Sequence, residues 1–344
     1  MKGRVVLLDQ INGRPAAALM VDGRLEELAI DPMGDEPVPG AIYRAVADRP
    51  MKGQGGMFVK LPHGSGFLRQ VGGIAPGQRV LVQVSGPAEP GKATPVTMRL
   101  LFKSRFAIVT PGAPGLNISR RIRDEDLRAD LEAVASAGMA GADEALGLIL
   151  RSACVGSEDD AVAEDVAAMR GLAEAVLADI NGGPELLVDG ASAHDLAWRD
   201  WLDPAPDEMV PEAGFADHGV LDAVDALLDL RVDLPGAGHM MIEPTRALVA
   251  VDVNTGADTS PAASLKANVA AAKDLPRQLR LRGLGGQVVI DFAPMPKRDR
   301  TILDQVMKAA FKAEGEVTLA GWTTMGLYEM TRRRDRLVLR DLMA

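Results

Sequence analysis

The sequence predicts an α/β protein built from several folding units. Three observations carry that expectation. The last third alternates β-like runs with helical stretches in the order β–α–β–α–β. Residues 31–91 are dense in Gly and Pro and hold several short β-like pieces, the pattern of a small barrel. At 344 residues, the chain also exceeds what one hydrophobic core usually serves.

The elements follow in order. RVVLLD (4–9) and PAAALM (15–20) flank INGR, a hairpin-turn signal. GMFVKL, GFLRQ and RVLVQV are the barrel pieces, and strand-like text resumes at VTMRLLF and FAIVT. Leu127, Leu131 and Val134 share one face of a helix over 124–137, and ALGLIL (145–150) reads as a strand. Ser157 and Asp160 resemble a capping box opening a long helix with Val162, Val166 and Met169 in register, stopped by NGG at 181–183. Residues 202–219 are rich in Pro and acid and read as a loop, while HGVLDAVDALLDL reads as a helix or part of one. There follow a strand at 247–253, a helix over 262–282 interrupted at Pro276, a strand at 287–292, a helix over 298–313 and the strand EVTLA. That order implies a parallel sheet with right-handed crossovers.

Composition narrows the classes. One cysteine, Cys154, excludes an internal disulfide and a cysteine-rich zinc site, and the four histidines show no ligand spacing. This fits a reducing, cytoplasmic setting. The N-terminal apolar run is too short for a signal peptide, and no stretch reaches membrane-span length. Aromatics make up only 3% of the chain, so core and ligand contacts must lean on aliphatic residues and Met. A net charge of −10 points away from nucleic acid on the whole-chain scale, yet local fields do the steering. Basic residues are bunched in SRRIR (119–123), RQLRLR (277–282), PKRDR (296–300) and TRRRDR (331–336); each alone reads as a solvated helix face.

LVAVDVNTG (248–256) and VVIDFAPM (288–295) share an oddity. Each is core-strand text ended by one acid, Asp252 or Asp291. In parallel α/β sheets, sites gather at the carboxyl ends of strands. If these strands are neighbours, two carboxylates stand about 5 Å apart and repel unless a cation lies between them. Mg²⁺ fits, because it takes hard oxygen ligands and keeps waters for substrate phosphates. Asn254 lies two residues beyond Asp252, on the same side of an extended strand. Strand-end Asp residues also cap helices and turns, which is the structural alternative for either one alone.

At these residues the chain resembles the bacterial RNase E/RNase G endoribonucleases. ALVAVDVNTG and RQLRLRGLGGQVVIDF carry the resemblance, which extends through GFL, NISRRI, GLILRSACVG and MGLYEMTRRR. It covers most of the chain except a poorly matched stretch at about 190–236. The resemblance implies an RNase-H-like subdomain (1–35 plus 195–236, its second part shortened) with an inserted OB-fold RNA-binding barrel (36–98). It further implies a 5′-sensor subdomain (99–194) and a DNase-I-like catalytic subdomain (237–344). By match, Asp252 and Asp291 take the magnesium positions and Asn254 the supporting amide. Arg151, Ser152 and Ile108 take the sensor for a 5′-terminal monophosphate. Phe58 and Phe67 take base-stacking positions, although Phe67 reads equally as barrel core. Lys92, Arg120, Arg121 and Arg332 take RNA-backbone contacts.

The implied activity is Mg²⁺-dependent hydrolysis of single-stranded RNA, favouring 5′-monophosphorylated substrates, in rRNA processing or mRNA decay. The competing reading is an RNA-binding relative that has lost efficient cleavage. Departures from the family pattern motivate it. Arg246 stands where an acid is usual, Ala270 replaces a glutamate, FAPM replaces FIDM, and the loop after Asp252 is GADTSPAAS instead of basic. The family's zinc-binding cysteine pair is missing, so no zinc is expected, and a monomer or dimer is expected in place of the zinc-linked tetramer.

Overall fold

The computed structural model describes every residue except Met1, Asp35, Lys52, Gln54, Gln70, Val71, Pro90, Ala237, Thr259 and Pro261. The chain divides into two compact units. The first comprises Met1–Asp22 and Ala29–Ala213, the second Gly23–Leu28 and Gly214–Ala344.

The first unit opens with the expected hairpin. β1 (Arg4–Ile11) and β2 (Arg14–Val21) pair antiparallel from Arg4↔Val21 to Ile11↔Arg14. Asn12 and Gly13 turn between them at φ 53° and 74°, the left-handed values that Asn-Gly supplies cheaply. Next in the chain is β3 (Arg24–Ile30), whose residues through Leu28 belong to the second unit. Then come β4 (Ile42–Met51), β5 (Gly56–Lys60), β6 (Ser65–Leu68), β7 (Arg79–Val84) and β8 (Thr94–Thr97). Because β4 pairs with both β5 and β7, the ring β4–β5–β6–β8–β7 closes into a five-stranded, OB-like barrel. Ala45, Met57, Val59, Leu68, Val82 and Val96 fill it.

β9 (Phe102–Lys103), β10 (Ala107–Pro111), β11 (Gly115–Ile118), α1 (Glu125–Gly138), β12 (Leu146–Leu150) and α2 (Asp159–Ala178) form the next layer. The sheet runs β11–β12–β10–β9. Leu131 and Ala135 of α1 and Val162 and Val166 of α2 bury against Val109, Leu148 and Leu150. Asp124 caps α1, its carboxylate accepting from the N–H groups of Asp126 and Leu127. The capping box expected at Ser157 does not form. That hydroxyl donates to the Ala153 carbonyl at 3.0 Å, and α2 starts after an uncapped Glu158.

β13 (Glu185–Val188) joins the barrel strand β4, and α3 (Ala193–Asp200) opens with a true capping box of Ser192 and Asp195. β14 (Glu208–Val210) lies parallel to β1, so the stretch 202–219 is not all loop. Its short Glu-Met-Val run is too brief to carry a period that sequence reading can detect.

The second unit contains α4 (Val220–Leu228), β15 (Arg231–Asp233), β16 (His239–Pro244), β17 (Val249–Asn254) and α5 (Ala263–Leu281). It continues with β18 (Gly286–Asp291), α6 (Lys297–Ala310), β19 (Val317–Trp322), β20 (Tyr328–Arg332) and α7 (Leu339–Met343). The sheet order is β15–β16–β17–β18–β20–β19. The expected parallel sheet is therefore corrected. Among the described residues of this sheet, only β17 and β18 pair in parallel, and the remaining pairs are antiparallel. A tight turn, with Thr323 N–H donating to Leu327 O at 2.7 Å, sends β20 back against β18 and leaves β19 at the edge.

α5 also differs from expectation, running unbroken through the buried Pro276. Leu275 and Leu279 press both halves of the helix onto the same core, which offsets the bond that proline forgoes. That core joins Val249, Val251, Val253, Val288 and Ile290 to the buried faces of α5 and α6.

The RQLRLR segment is not a solvated face. Arg277 binds Asp274 and the Leu25 carbonyl, and Arg280 reaches Glu26, Glu27 and Glu314. Arg282 is buried and donates to the Asp229 carbonyl; burial pushes its pKa down to about 10.

Candidate active site

Alternation along two strands builds the site. Val249, Val251 and Val253 point into the core, so Ala250, Asp252 and Asn254 take the opposite face of β17. Val288 and Ile290 do the same on β18, leaving Gln287 and Asp291 exposed. The parallel register sets Asp252 directly against Asp291. Neighbouring backbones at such a pair lie about 4.8 Å apart. Asn254 Nδ2 donates to Asp252 Oδ2 at 2.6 Å, which orients that carboxylate and engages one of its oxygens.

The donor set suits a hard divalent ion: two carboxylates with an amide holding one of them, on an exposed face. No group of three His, Cys, Asp or Glu able to hold a metal occurs among the described residues. An ion here would draw its other ligands from water or substrate, as magnesium does and as closed zinc sites do not.

Several neighbours escaped sequence reading. Asn268 on α5 is fully buried, and its side chain both donates to and accepts from Ala293, each at 2.9 Å. Ala293 lies two residues beyond Asp291, so this clamp fixes the chain where β18 delivers its acid. The signal was legible, because Asn268 sits on the apolar stripe of Ala267, Ala271, Ala272 and Leu275. His239 pairs across the sheet with Asn254, and Met241 with Asp252. Of the GADTSPAAS loop, Thr259 and Pro261 lie outside the described residues.

In the first unit, Phe58 and Phe67 are direct cross-strand partners with ring centroids 5.3 Å apart. Both alternate with barrel-core residues and are half-buried, and neither joins the core cluster, so they form an outward platform. Arg49, which the sequence did not single out, places its guanidinium 5.1 Å from the Phe58 ring centre. Lys92 is exposed and paired with Glu89 at 2.7 Å.

Arg151 and Ser152 follow directly after β12. Ile108 on β10 pairs with Ile149 of that strand, which brings the three expected sensor residues into one region. Both polar side chains are engaged: Arg151 with Asp200 at 2.5 Å and Ser152 with Asp203 at 2.5 Å. Arg120 and Arg121 are exposed just before α1. Arg332 is buried, its guanidinium on the Leu284 carbonyl, Asp335 and Glu314, and so serves as an internal tether in this structure.

A strand-end acidic pair, a closed barrel carrying two outward aromatics and an arginine held by a carboxylate define an α/β protein built from several sheets. Comparison with known proteins makes this specific. The ribonuclease E/G family model matches residues 102–214 and 208–335, and the chain belongs to that family. It is similar to ribonuclease E of Nostoc sp., 28% identical over 398 residues, covering 97% of this chain and 56% of that protein. It is also similar to ribonuclease G of Haemophilus influenzae, 26% identical over 381 residues, covering 93% and 77%. Ribonuclease G of Escherichia coli K12 is 25% identical over 380 residues, covering 91% and 76%. The chain thus spans only 56% of the length of the ribonuclease E relatives it matches. No helix among the described residues is long and apolar enough to cross a membrane.

Proposed function

We propose that this chain is a magnesium-dependent endoribonuclease that hydrolyses single-stranded RNA in RNA processing or decay. One observation carries the reading: Asp252 and Asp291 face each other across the parallel strand pair, with Asn254 bonded to Asp252. Family membership and the relatives' shared name, ribonuclease, support it.

In this reading Asp252 and Asp291 hold the ion. Bound there, magnesium supplies Lewis-acid stabilisation of the phosphodiester and makes water a better nucleophile. The chain's own residues do the rest. Asn254 keeps the Asp252 carboxylate from turning away, and the Asn268 clamp fixes the exit of β18. Phe58 and Phe67 stack unpaired bases, a contact that needs no sequence code. Arg49, Lys92, Arg120 and Arg121 meet backbone phosphates. Cleavage leaves a 5′-phosphate and a 3′-hydroxyl.

The subdomain reading is also ours. An RNase-H-like part (1–35 with 195–236) carries an OB-fold insert at 36–98, followed by a sensor part at 99–194 and a DNase-I-like part from 237. The closed five-stranded ring inside 36–98 is its best support. Arg151, Ser152 and Ile108 form the site for a 5′-terminal phosphate.

The test uses a labelled single-stranded oligoribonucleotide with Mg²⁺, and with EDTA as control. Wild-type protein cleaves only with Mg²⁺. Asp252→Asn and Asp291→Asn each lose cleavage yet still bind RNA in EDTA. A folded Asp252→Asn protein that cleaves normally removes the acidic pair from the mechanism. Binding by the wild type without cleavage favours an RNA-binding relative.

A further inference from the structure

The basic cluster around Arg151 is already filled from within the first unit. Asp200, the last residue of α3, lies 2.5 Å from Arg151, 2.8 Å from Lys103 and 3.0 Å from Arg199. Three cations thus converge on one carboxylate. The other terminal nitrogen of Arg151 donates to the carbonyls of Ser104, Arg105 and Arg199 at 2.5, 3.2 and 3.1 Å. Next to it, the Ser152 hydroxyl donates to Asp203 at 2.5 Å. A cationic fork with a neighbouring hydroxyl is a site for a tetrahedral oxyanion, and two carboxylates occupy it.

We propose that Asp200 and Asp203 are an internal stand-in for a terminal phosphate, so that they suppress recognition of 5′-monophosphorylated RNA ends by the Arg151–Ser152 site. The inference rests on the sensor reading given above and changes its consequence: this chain carries the sensor residues but holds them occupied.

Three further observations support it. A negative charge at the end of a helix opposes the helix dipole, so Asp200 is placed for its cationic partners and not for α3. Its neighbours anchor it, since Trp201 is buried and Ser192 caps the far end of the helix. Burial by itself would raise the Asp200 carboxyl, but Lys103 and then Arg199 overcome it and hold the pKa at about 2. Ordinary pH therefore does not release the plug, and an incoming phosphate must displace a like charge.

The experiment compares one 3′-fluorescein-labelled single-stranded oligoribonucleotide bearing either a 5′-monophosphate or a 5′-hydroxyl. Binding is read by anisotropy in EDTA, where cleavage plays no part. Wild-type protein should bind the two ends within about twofold. Asp200→Asn and Asp203→Asn should each prefer the phosphorylated end by roughly tenfold. Adding Arg151→Gln to either variant should erase the preference. Asp203→Asn alters the contact with the Ser152 hydroxyl and leaves the three-cation cluster on Asp200 in place, so it carries the test if Asp200→Asn fails to fold. A strong phosphate preference in the wild type overturns the proposal. So does an absent preference in both folded variants. Variants that bind RNA without any end preference sink only this inference, whereas failure of the wild type to bind RNA at all sinks the functional reading with it.

Discussion

Asn268→Ala tests whether the clamp behind Asp291 carries the weight assigned to it. The side chain is wholly buried and satisfies both backbone groups of Ala293, itself 4% exposed. Truncation strands a buried N–H and a buried C=O, at roughly 1–3 kcal/mol each. Taking the middle of that range for both gives a loss of about 4 kcal/mol, or roughly a thousandfold in an opening equilibrium. The assay is native-state hydrogen exchange read by mass spectrometry on peptides from α5 and from β18 through residue 295, because the two units need not open together. The slowest amides of α5 should lose about three decades of protection while the peptides of α2 stay unchanged. Cleavage should fall by more than the folded fraction accounts for, since Ala293 fixes the exit of the strand that carries Asp291. A loss of protection below about tenfold would mean that water or backbone movement readily replaces the amide, and the clamp argument fails.

Phe58→Ala and Phe67→Ala should each weaken binding of single-stranded RNA by about 1–3 kcal/mol, measured by anisotropy in EDTA, while the loss of their cross-strand contact costs stability no more than about 1 kcal/mol. Asp200→Asn should cost about 2 kcal/mol of stability at pH 7, because the folded pKa of about 2 lies below the ordinary carboxylate value. The sign follows from that direction. The contribution is complete above about pH 4 and disappears as pH falls through 2, so urea melts of wild type and variant should converge in acid. Cys154 is 1% exposed and burial pushes its thiol up to about 11, so alkylation at pH 8 should proceed only on unfolding.

What the sequence makes legible is what local chemistry decides. Asn12-Gly13 specifies its hairpin because left-handed φ values are needed there and nowhere adjacent. The valine alternation of β17 and β18 specifies which face Asp252 and Asp291 take. The remainder depends on partners distant in the chain. EVTLA and YEMTR are equally good strand text, and only the hairpin between them decides which one borders β18. Arg280 reads as a surface cation until Glu26, 254 residues away, turns it inward. Arg151 reads as an open phosphate fork until Asp200, 49 residues on, fills it. Phe67 reads equally as core or outer face in the sequence, and it lies outside the barrel core, paired with Phe58, while Met57 and Leu68 fill that core.

The acidic pair itself permits a last deduction about metal removal. Asp252 and Asp291 meet at a parallel strand pair, where α5 returns the chain so that both strands end at one edge. Both are exposed, so their mutual repulsion at about 5 Å is near 1 kcal/mol in water and falls with salt. A fold can carry that without an ion, unlike a buried metal cage whose ligands are stranded when the ion leaves. EDTA should therefore leave the melting temperature almost unchanged. Mg²⁺ should raise it modestly, by the mass-action amount set by its affinity. In Asp252→Asn the EDTA melt should equal or slightly exceed that of wild type, and the Mg²⁺ increment should vanish. If EDTA collapses the fold, a metal serves structure elsewhere. If the increment survives in Asp252→Asn, the ion binds away from this pair.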